Sequence, residues 1–369
     1  MNILFVTFGE LSVGSGALRS LSILRALADA GHQVDVIAAG SQVAPHPHVR
    51  ILTGPSDRML TRRRVRKEFL KAARGKSYQL VHVVDEAVLC LAHCMWWRRV
   101  KVVYEASRCF TGPYGIAPSW RWKISPTYYE RIEKRALQRT DLVLTSCDLL
   151  STDLERVQKN IRIVQLDAIP GHALRPRVDP DRKALLSRLG GSASGIVTCC
   201  ILPGNRNELR KLLLAARKVI DALPGVGFFF KGLPVGETEA MARNLDIHGR
   251  CVFLDSDETE DYYLALDLAD VALFVPQPGG RYIDPEVFTV LQSPSALVAV
   301  QDAAYSGTLD ARNSIQVVST AESIAEGILQ VFQEPLLALA IAVEGQQQVA
   351  AHHSFSSFKH KIRMTYHDL

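Results

Sequence analysis

The sequence predicts two successive α/β domains, each built on a mostly parallel sheet with helices on both faces. Three observations carry this. The chain opens with an apolar strand (Met1–Phe8), a glycine-bearing turn (Gly9–Gly16), a helix ending at Ala30-Gly31-His32, and a second strand, Val34–Ala38. Strand-like and helix-like stretches then alternate through both halves, the pattern of repeated βαβ units. From about residue 166 to 194 that periodicity weakens, and Ile169–Pro180 is rich in proline and glycine, as in a linker.

In the first half, strands are expected at 2–7, 33–38, 49–52, 80–84, 100–105, 141–145 and 161–165. They are apolar almost throughout, which suits parallel strands buried on both faces. Helices are expected at 16–30, 60–74, 86–97, 127–139 and 147–158. A short basic helix at 181–189, closed by Gly190-Gly191, follows the linker. The second half repeats the alternation. Strands are expected at 196–202, 227–231, 250–254, 271–275, 296–300 and 315–318, with helices at 207–222, 238–244, 259–268, 284–292 and 321–333. The tail from 335 is helical and broken near His352-His353-Ser354-Phe355.

With 369 residues and 47% hydrophobic content, the chain is large enough for two cores. It contains no run of about 18 uncharged apolar residues, so no membrane span is expected. The chain starts on its first strand without a basic leader, so no signal peptide is expected. Seven cysteines show no repeated metal-type spacing and sit mostly in apolar runs. Cys90 and Cys94 fall four apart on an expected helix, where they are either core residues or a zinc pair. A reducing, cytoplasmic setting follows from this usage.

Charge divides unevenly. Residues 1–175 carry a net +11 and residues 176–369 a net −6. The densest basic stretch, Arg58–Lys76, holds nine Lys/Arg. Within it Arg62, Arg63, Arg64, Arg66 and Lys67 surround an apolar stripe of Val65, Phe69 and Ala72 or Ala73. Trp96 and Trp97 precede two further arginines. This pattern is either a face for an anionic membrane surface or a solvated helix face. No nucleic-acid motif accompanies it.

Several segments together resemble the GT-B-fold glycosyltransferases of family four. They are GSGALRSLSILRALADAGHQVDVI (14–37), KVVYEAS (101–107), YERIEKRALQRTDLVLTSCDLLSTDL (129–154), FFKG (229–232), VFLDSDETEDYYLALDLADVALFVP (252–276) and the HSFSSF segment from His353. The resemblance implies two Rossmann-like doubly wound domains facing across a cleft. Residues 1–170 would bind acceptor and 171–352 the nucleotide-sugar donor, with the helix at about 353–369 packing back on the first domain. It implies retaining, metal-independent transfer of a sugar to a lipid-linked or glycan acceptor, with no cofactor. The cysteine usage sets the chain in the cytoplasm, and the basic stretch, if it is a membrane face, would place it peripherally on the inner face of the membrane.

The chain departs from the family pattern at the donor site. Where members carry two glutamates flanking seven residues, Tyr282 and Val290 stand here, with Ser295 at the usual glycine and Leu297 at the usual proline. Glu286 and Asp284 are close enough to substitute. Ser107 stands where many members have histidine. A departing diphosphate needs cations or N–H dipoles, and an acceptor hydroxyl needs a base. Candidate donor ligands are therefore Gly14, Ser15 and Gly16, the cations Arg206 and Lys211, Lys231 with Gly232, the Gly280-Arg281 turn, and Glu286. Each also has a plainer reading as a turn or a solvated charge. Asp85 and Glu105, at strand ends in the first half, are the candidate bases. A form of the fold that binds a partner without catalysing transfer is the alternative.

Overall fold

The computed structural model describes residues 1–11, 14–40, 44–53, 60–91, 100–111, 126–167, 169–170, 187–189, 193–201, 206–233, 235–254, 259–277 and 283–369, and the backbone alone at 10, 14–18, 126–129, 206–207 and 259. The chain divides into two compact units. Unit 1 is Met1–Ile169 with Phe355–Leu369, and unit 2 is Pro170–Ser354.

Unit 1 carries a seven-stranded sheet in the order β3-β2-β1-β4-β5-β6-β7. Its strands are β1 (Asn2–Glu10), β2 (Gln33–Ala39), β3 (Val49–Ile51), β4 (Leu80–Val84), β5 (Lys101–Glu105), β6 (Leu142–Thr145) and β7 (Ile163–Gln165). Every pairing is parallel. Five helices alternate with them: α1 (Gly14–Asp29), α2 (Arg62–Gly75), α3 (Glu86–Leu91), α4 (Pro126–Leu137) and α5 (Asp148–Val157). Helix α1 starts two residues earlier than its sequence pattern suggests, and its glycines lie inside the first turn. It ends on Gly31, whose φ of +83° is open to glycine at little cost. Thr61 caps α2 by accepting from the Arg64 amide.

Unit 2 carries a six-stranded parallel sheet in the order β10-β9-β8-β11-β12-β13. The strands are β8 (Gly195–Ile201), β9 (Val226–Lys231), β10 (Cys251–Leu254), β11 (Val271–Val275), β12 (Ala296–Val300) and β13 (Ile315–Val317). Helices α6 (Arg206–Ala222), α7 (Val235–Asn244), α8 (Thr259–Leu268), α9 (Glu286–Gln292), α10 (Ala321–Gln333) and α11 (Pro335–His352) complete it. Phe228, Phe230 and Phe253 stack in sequence across β9 and β10. Pro335 starts α11, where its missing N–H costs nothing.

The last helix, α12 (Phe355–His367), packs on unit 1. Lys359 reaches Asp29 at 2.8 Å and Lys361 reaches Asp167 at 2.9 Å. Phe355 lies under the Arg25 guanidinium.

Strand order reverses once in each sheet, between β1 and β4 and between β8 and β11. In open α/β sheets, ligands lie beyond the carboxyl ends of strands at such points. The described cysteines 90, 109, 147, 199, 200 and 251 are buried thiols without disulfides. Cys94 lies outside the described residues. Among the described residues no helix alone is long and apolar enough to cross a membrane.

Candidate functional site

In unit 2, β8 and β9 run side by side, with Cys200 opposite Lys231 in the register. The chain turns after Lys231 on Gly232, at φ +95°. A Cβ there would lie 1.9 Å from the Ile201 carbonyl oxygen, so only glycine lets the two strand ends approach this closely. The turn leaves the Lys231 ammonium at the carboxyl end of the sheet, beside the reversal point. Its Nζ sits 4.0 Å from the Tyr262 ring centroid and 3.6 Å from Glu286 Oε1.

Glu286 opens α9, and its amide is held by Asp284 Oδ1 at 2.9 Å. The Asp284 amide in turn donates to the Tyr305 hydroxyl at 3.0 Å. Burial pushes the Glu286 carboxyl above the usual carboxylate range, against the pull of Lys231. Neither its Oε1 nor the buried Tyr262 hydroxyl completes a well-formed hydrogen bond. Lys231, Tyr262 and Glu286 thus form a buried polar cluster in which the ammonium and the phenol hydroxyl both draw on the Glu286 carboxyl, and the ammonium is partly exposed.

Other predicted donor residues fall differently. Arg206 begins α6, just beyond β8, so the unpaired N–H groups of that helix start at the sheet's carboxyl end; the Arg206 side chain lies outside the described residues. Lys211 is engaged inside the unit. Its Nζ meets Glu208 Oε1 at 2.8 Å and Ser319 Oγ at 3.2 Å, and Ser319 donates back to Glu208. Gly280 and Arg281 lie outside the described residues, as does Tyr282. Val290 is fully buried in α9. The Ser295 hydroxyl donates to the Leu266 and Ala269 carbonyls, and Leu297 is a core residue of β12.

In unit 1, Asp85 follows β4 at φ +45°, a left-handed conformation that aspartate tolerates better than most residues but at a cost. Ser107 fixes its carboxylate twice, through its amide to Oδ1 at 2.8 Å and its hydroxyl to Oδ2 at 2.5 Å. Arg108 Nη2 stands 3.8 Å away, and the carboxylate stays 20% exposed. Burial raises the Asp85 pKa, opposed by Arg108 and Ser107. The loop carrying Ser107 and Arg108 is itself anchored by buried Glu133 of α4, which accepts from the Phe110 amide at 2.9 Å and from the Thr111 hydroxyl.

Glu105 sits one strand away and is 2% exposed. Arg19 Nε meets its Oε1 at 2.7 Å and His82 Nε2 its Oε2 at 3.0 Å. Arg19 also donates to the Leu166 and Thr145 carbonyls, and His82 Nδ1 bonds the Tyr366 hydroxyl of α12. Burial alone would raise the Glu105 pKa; the His82 hydrogen bond and the Arg19 charge outweigh it and hold the carboxyl below its usual range. Both carboxylates are bonded internally; Glu105 is sealed from solvent by buried cationic and imidazole partners, whereas Asp85 keeps an exposed edge.

Among the glycine-turn residues, Gly14, Ser15 and Gly16 form the first turn of α1, placing its N–H groups beyond β1; the Ser15 side chain lies outside the described residues. On α2, Val65 and Phe69 face the core, while Arg63, Arg66 and Lys67 are exposed and Arg62 and Arg64 half-exposed. Arg64 pairs with Glu68 at 3.4 Å. Trp96 and Trp97 lie outside the described residues. Sequence reading passed over Arg19, Tyr262 and Tyr366. Each is polar or aromatic within an amphipathic helix, and nothing local marks it as the partner of a distant strand end.

Residues 19–165 match the profile of Glycosyltransferase Family 4. No curated protein matches the sequence. Among solved structures, sucrose-phosphate synthase from Thermosynechococcus elongatus superposes with a TM-score of 0.73 at 17% identity, covering 100% of this chain and 98% of that one. WaaG, a glycosyltransferase of lipopolysaccharide biosynthesis, gives 0.72 at 13% identity, covering 98% of each. A UDP-N-acetylglucosamine 2-epimerase gives 0.61 at 11% identity, covering 95% and 94%. Fold alone therefore does not choose between transfer and epimerisation. Taken together, the chain has the GT-B fold along its whole length, and residues 19–165 of its first unit are similar to Glycosyltransferase Family 4.

Proposed function

We propose that this protein transfers a sugar, hexosyl in type, from a nucleotide-sugar donor to a lipid-linked or glycan acceptor, with retention and without a metal. The observation that carries the reading is the Glycosyltransferase Family 4 match across residues 19–165, since the whole-chain fold is shared with an epimerase.

The geometry supports a role for particular residues. Lys231 and the N-terminus of α6 offer positive charge to a departing diphosphate at the carboxyl end of the unit 2 sheet. Glu286 and the Tyr262 hydroxyl offer open acceptor and donor capacity to a sugar hydroxyl. Asp85, oriented by Ser107 and lifted in pKa by burial, is the better-placed base. Glu105 is the supporting carboxylate beneath it. Arg281 and Gly280 remain proposed phosphate contacts, and Lys211 a proposed helix-borne cation.

The test is a thermal-shift panel of UDP, GDP and ADP and their sugars, followed by assay of sugar release and transfer. Stabilisation by one nucleotide, lost in Lys231→Met, is expected. No stabilisation by any of them at millimolar concentration overturns the reading. That outcome favours a partner-binding protein without catalysis, for which the buried Val290 and the Lys231–Glu286 pairing are the supporting observations.

The exposed basic face of α2 is proposed to contact an anionic membrane surface. Each cation there is worth about 1 kcal/mol of adsorption. Vesicle flotation should depend on anionic lipid and weaken in Arg63→Ala with Arg66→Ala and Lys67→Ala. Flotation indifferent to those changes removes the membrane role.

A further inference from the structure

Unit 2 holds a cavity of about 890 Å³ on the β13 edge of its sheet, whose lining does not include Lys231, Tyr262 or Glu286. Its floor is aliphatic: Leu309, Ile315, Leu337 and Ile341. Its polar rim comes from Gln301, Asp302, Ser306, Asp310, Gln316 and Gln330. Among the described residues, no lysine, arginine or histidine side chain lines it.

That lining selects a chemistry. Asp310 is ion-paired with Arg312 at 2.7 Å, which leaves Asp302 as the uncompensated lining carboxylate and no lining cation to hold a phosphate or other anion. The rim is rich in acceptors. Asp302 uses Oδ1 to cap the Ala304 amide, Gln316 spends its amide nitrogen on the Leu309 carbonyl, and Gln330 spends its own on Glu334. Those bonds leave Asp302 Oδ2 and the Gln316 and Gln330 side-chain oxygens as acceptors, which suits a ligand supplying hydroxyl donors. The aliphatic floor suits the C–H face of a sugar ring. The volume lies in the range of small-ligand sites and admits more than one ring.

One residue of the cavity wall also reaches the first site. Tyr305 lines the cavity, packs edge-on against Phe274 of β11, and accepts the Asp284 amide at 3.0 Å. Asp284 holds the Glu286 amide at the mouth of α9. A ligand that displaces Tyr305 therefore acts on the turn that sets Glu286 beside Lys231.

We propose that this cavity is a binding site for an uncharged saccharide, and that Tyr305 relays its occupancy to the Asp284–Glu286 turn. The proposal stands apart from the glycosyl-transfer reading, because its test needs neither a donor nor turnover. Amide resonances of the full chain are followed while maltose or lactose is added, with glucose 6-phosphate and glucuronate as the anionic arm. Cavity amides, Ser306 and Asp310 among them, should shift with the neutral sugars at millimolar concentration and not with the anions. Ala311→Trp, at an exposed position lining the cavity, and Leu337→Trp, on its floor, should each weaken that binding at least tenfold while the melting profile is kept. The Asp284 amide should shift on binding in the native chain and stay still in Tyr305→Phe, which retains the ring but not the acceptor. Absence of shifts with the neutral sugars, equal response to the anions, or full affinity in a folded Trp variant overturns the site. An Asp284 amide unmoved by bound sugar in the native chain overturns the relay.

Discussion

Each unit buries a carboxylate and a cation at the carboxyl end of its sheet, and the two pairs are finished to different degrees. In unit 1, Glu105 has both oxygens bonded, Arg19 is anchored on two carbonyls, and His82 closes the chain onto Tyr366. In unit 2, Lys231 and Glu286 stand 3.6 Å apart, with Glu286 Oε1 and the Tyr262 hydroxyl unbonded. The first network is closed and joins α1, β4, β5 and α12. The second is open and adjoins solvent. A fully bonded buried network serves the fold, whereas a looser pair beside a partly exposed cation has bonding capacity to offer a ligand.

The strongest way to break this comparison is to damage the closed network. Arg19→Met leaves the Glu105 charge buried with only His82, and the loss of one partner from a buried pair costs about 3–5 kcal/mol. Chemical denaturation should show that loss in unit 1. A change under about 1 kcal/mol would mean the network is not structural, and the contrast with unit 2 would fall.

Gly232→Ala comes next. The new methyl meets the Ile201 carbonyl at a residue already in the left-handed region, an expected cost of about 2 kcal/mol, because the turn must open. Nucleotide-induced stabilisation should fall with it, since Lys231 is aimed by that turn. Wild-type stability in the variant would show that the β8 and β9 ends are not locked together.

Lys231→Met separates the two kinds of pair most cleanly. It should reduce nucleotide affinity about tenfold or more, about 1.4 kcal/mol, with little loss of unfolding free energy. The same exchange in unit 1 does the reverse. Equal damage to stability at both sites would reclassify Lys231 as a structural cation.

How far these differences were legible in the sequence depends on their range. The alternation of strands and helices showed both sheets, because buried parallel strands are apolar and their helices amphipathic. Val271–Val275 and Ala296–Val300 fall where the pattern places them. Helix starts were harder. The α1 glycines read as a turn, yet the helix takes them into its first turn. Lys231 and Gly232 were visible as a charge and a glycine directly after three phenylalanines. The engagement of Lys211 by Glu208 and Ser319 was not, since Ser319 is over a hundred residues away. Nor was the difference between Glu105 and Asp85, both acids at strand ends; the Arg19 and His82 contacts make Glu105 a packing group, while Asp85 keeps a partly exposed edge.

Acidity gives the smallest and most diagnostic contrast, because the two glutamates shift in opposite directions. Glu105 has a folded pKa below its unfolded value, so its contribution is present above the unfolded pKa and is lost as pH falls through the folded one. Glu286 has a folded pKa above its unfolded value. Between those two values the native state binds more protons than the unfolded state, so Glu286 costs stability as pH rises across that window and returns it as pH falls. Stability of Glu105→Gln and Glu286→Gln relative to the native chain, measured from neutral pH down through the carboxylate range, should therefore diverge with opposite slopes. In Glu286→Gln the advantage at neutral pH should shrink as the medium is acidified, while in Glu105→Gln the deficit should shrink only at the acid end. Parallel slopes would mean that Lys231 holds Glu286 ionised as firmly as Arg19 holds Glu105, and the pocket in unit 2 would then be a closed pair like its counterpart.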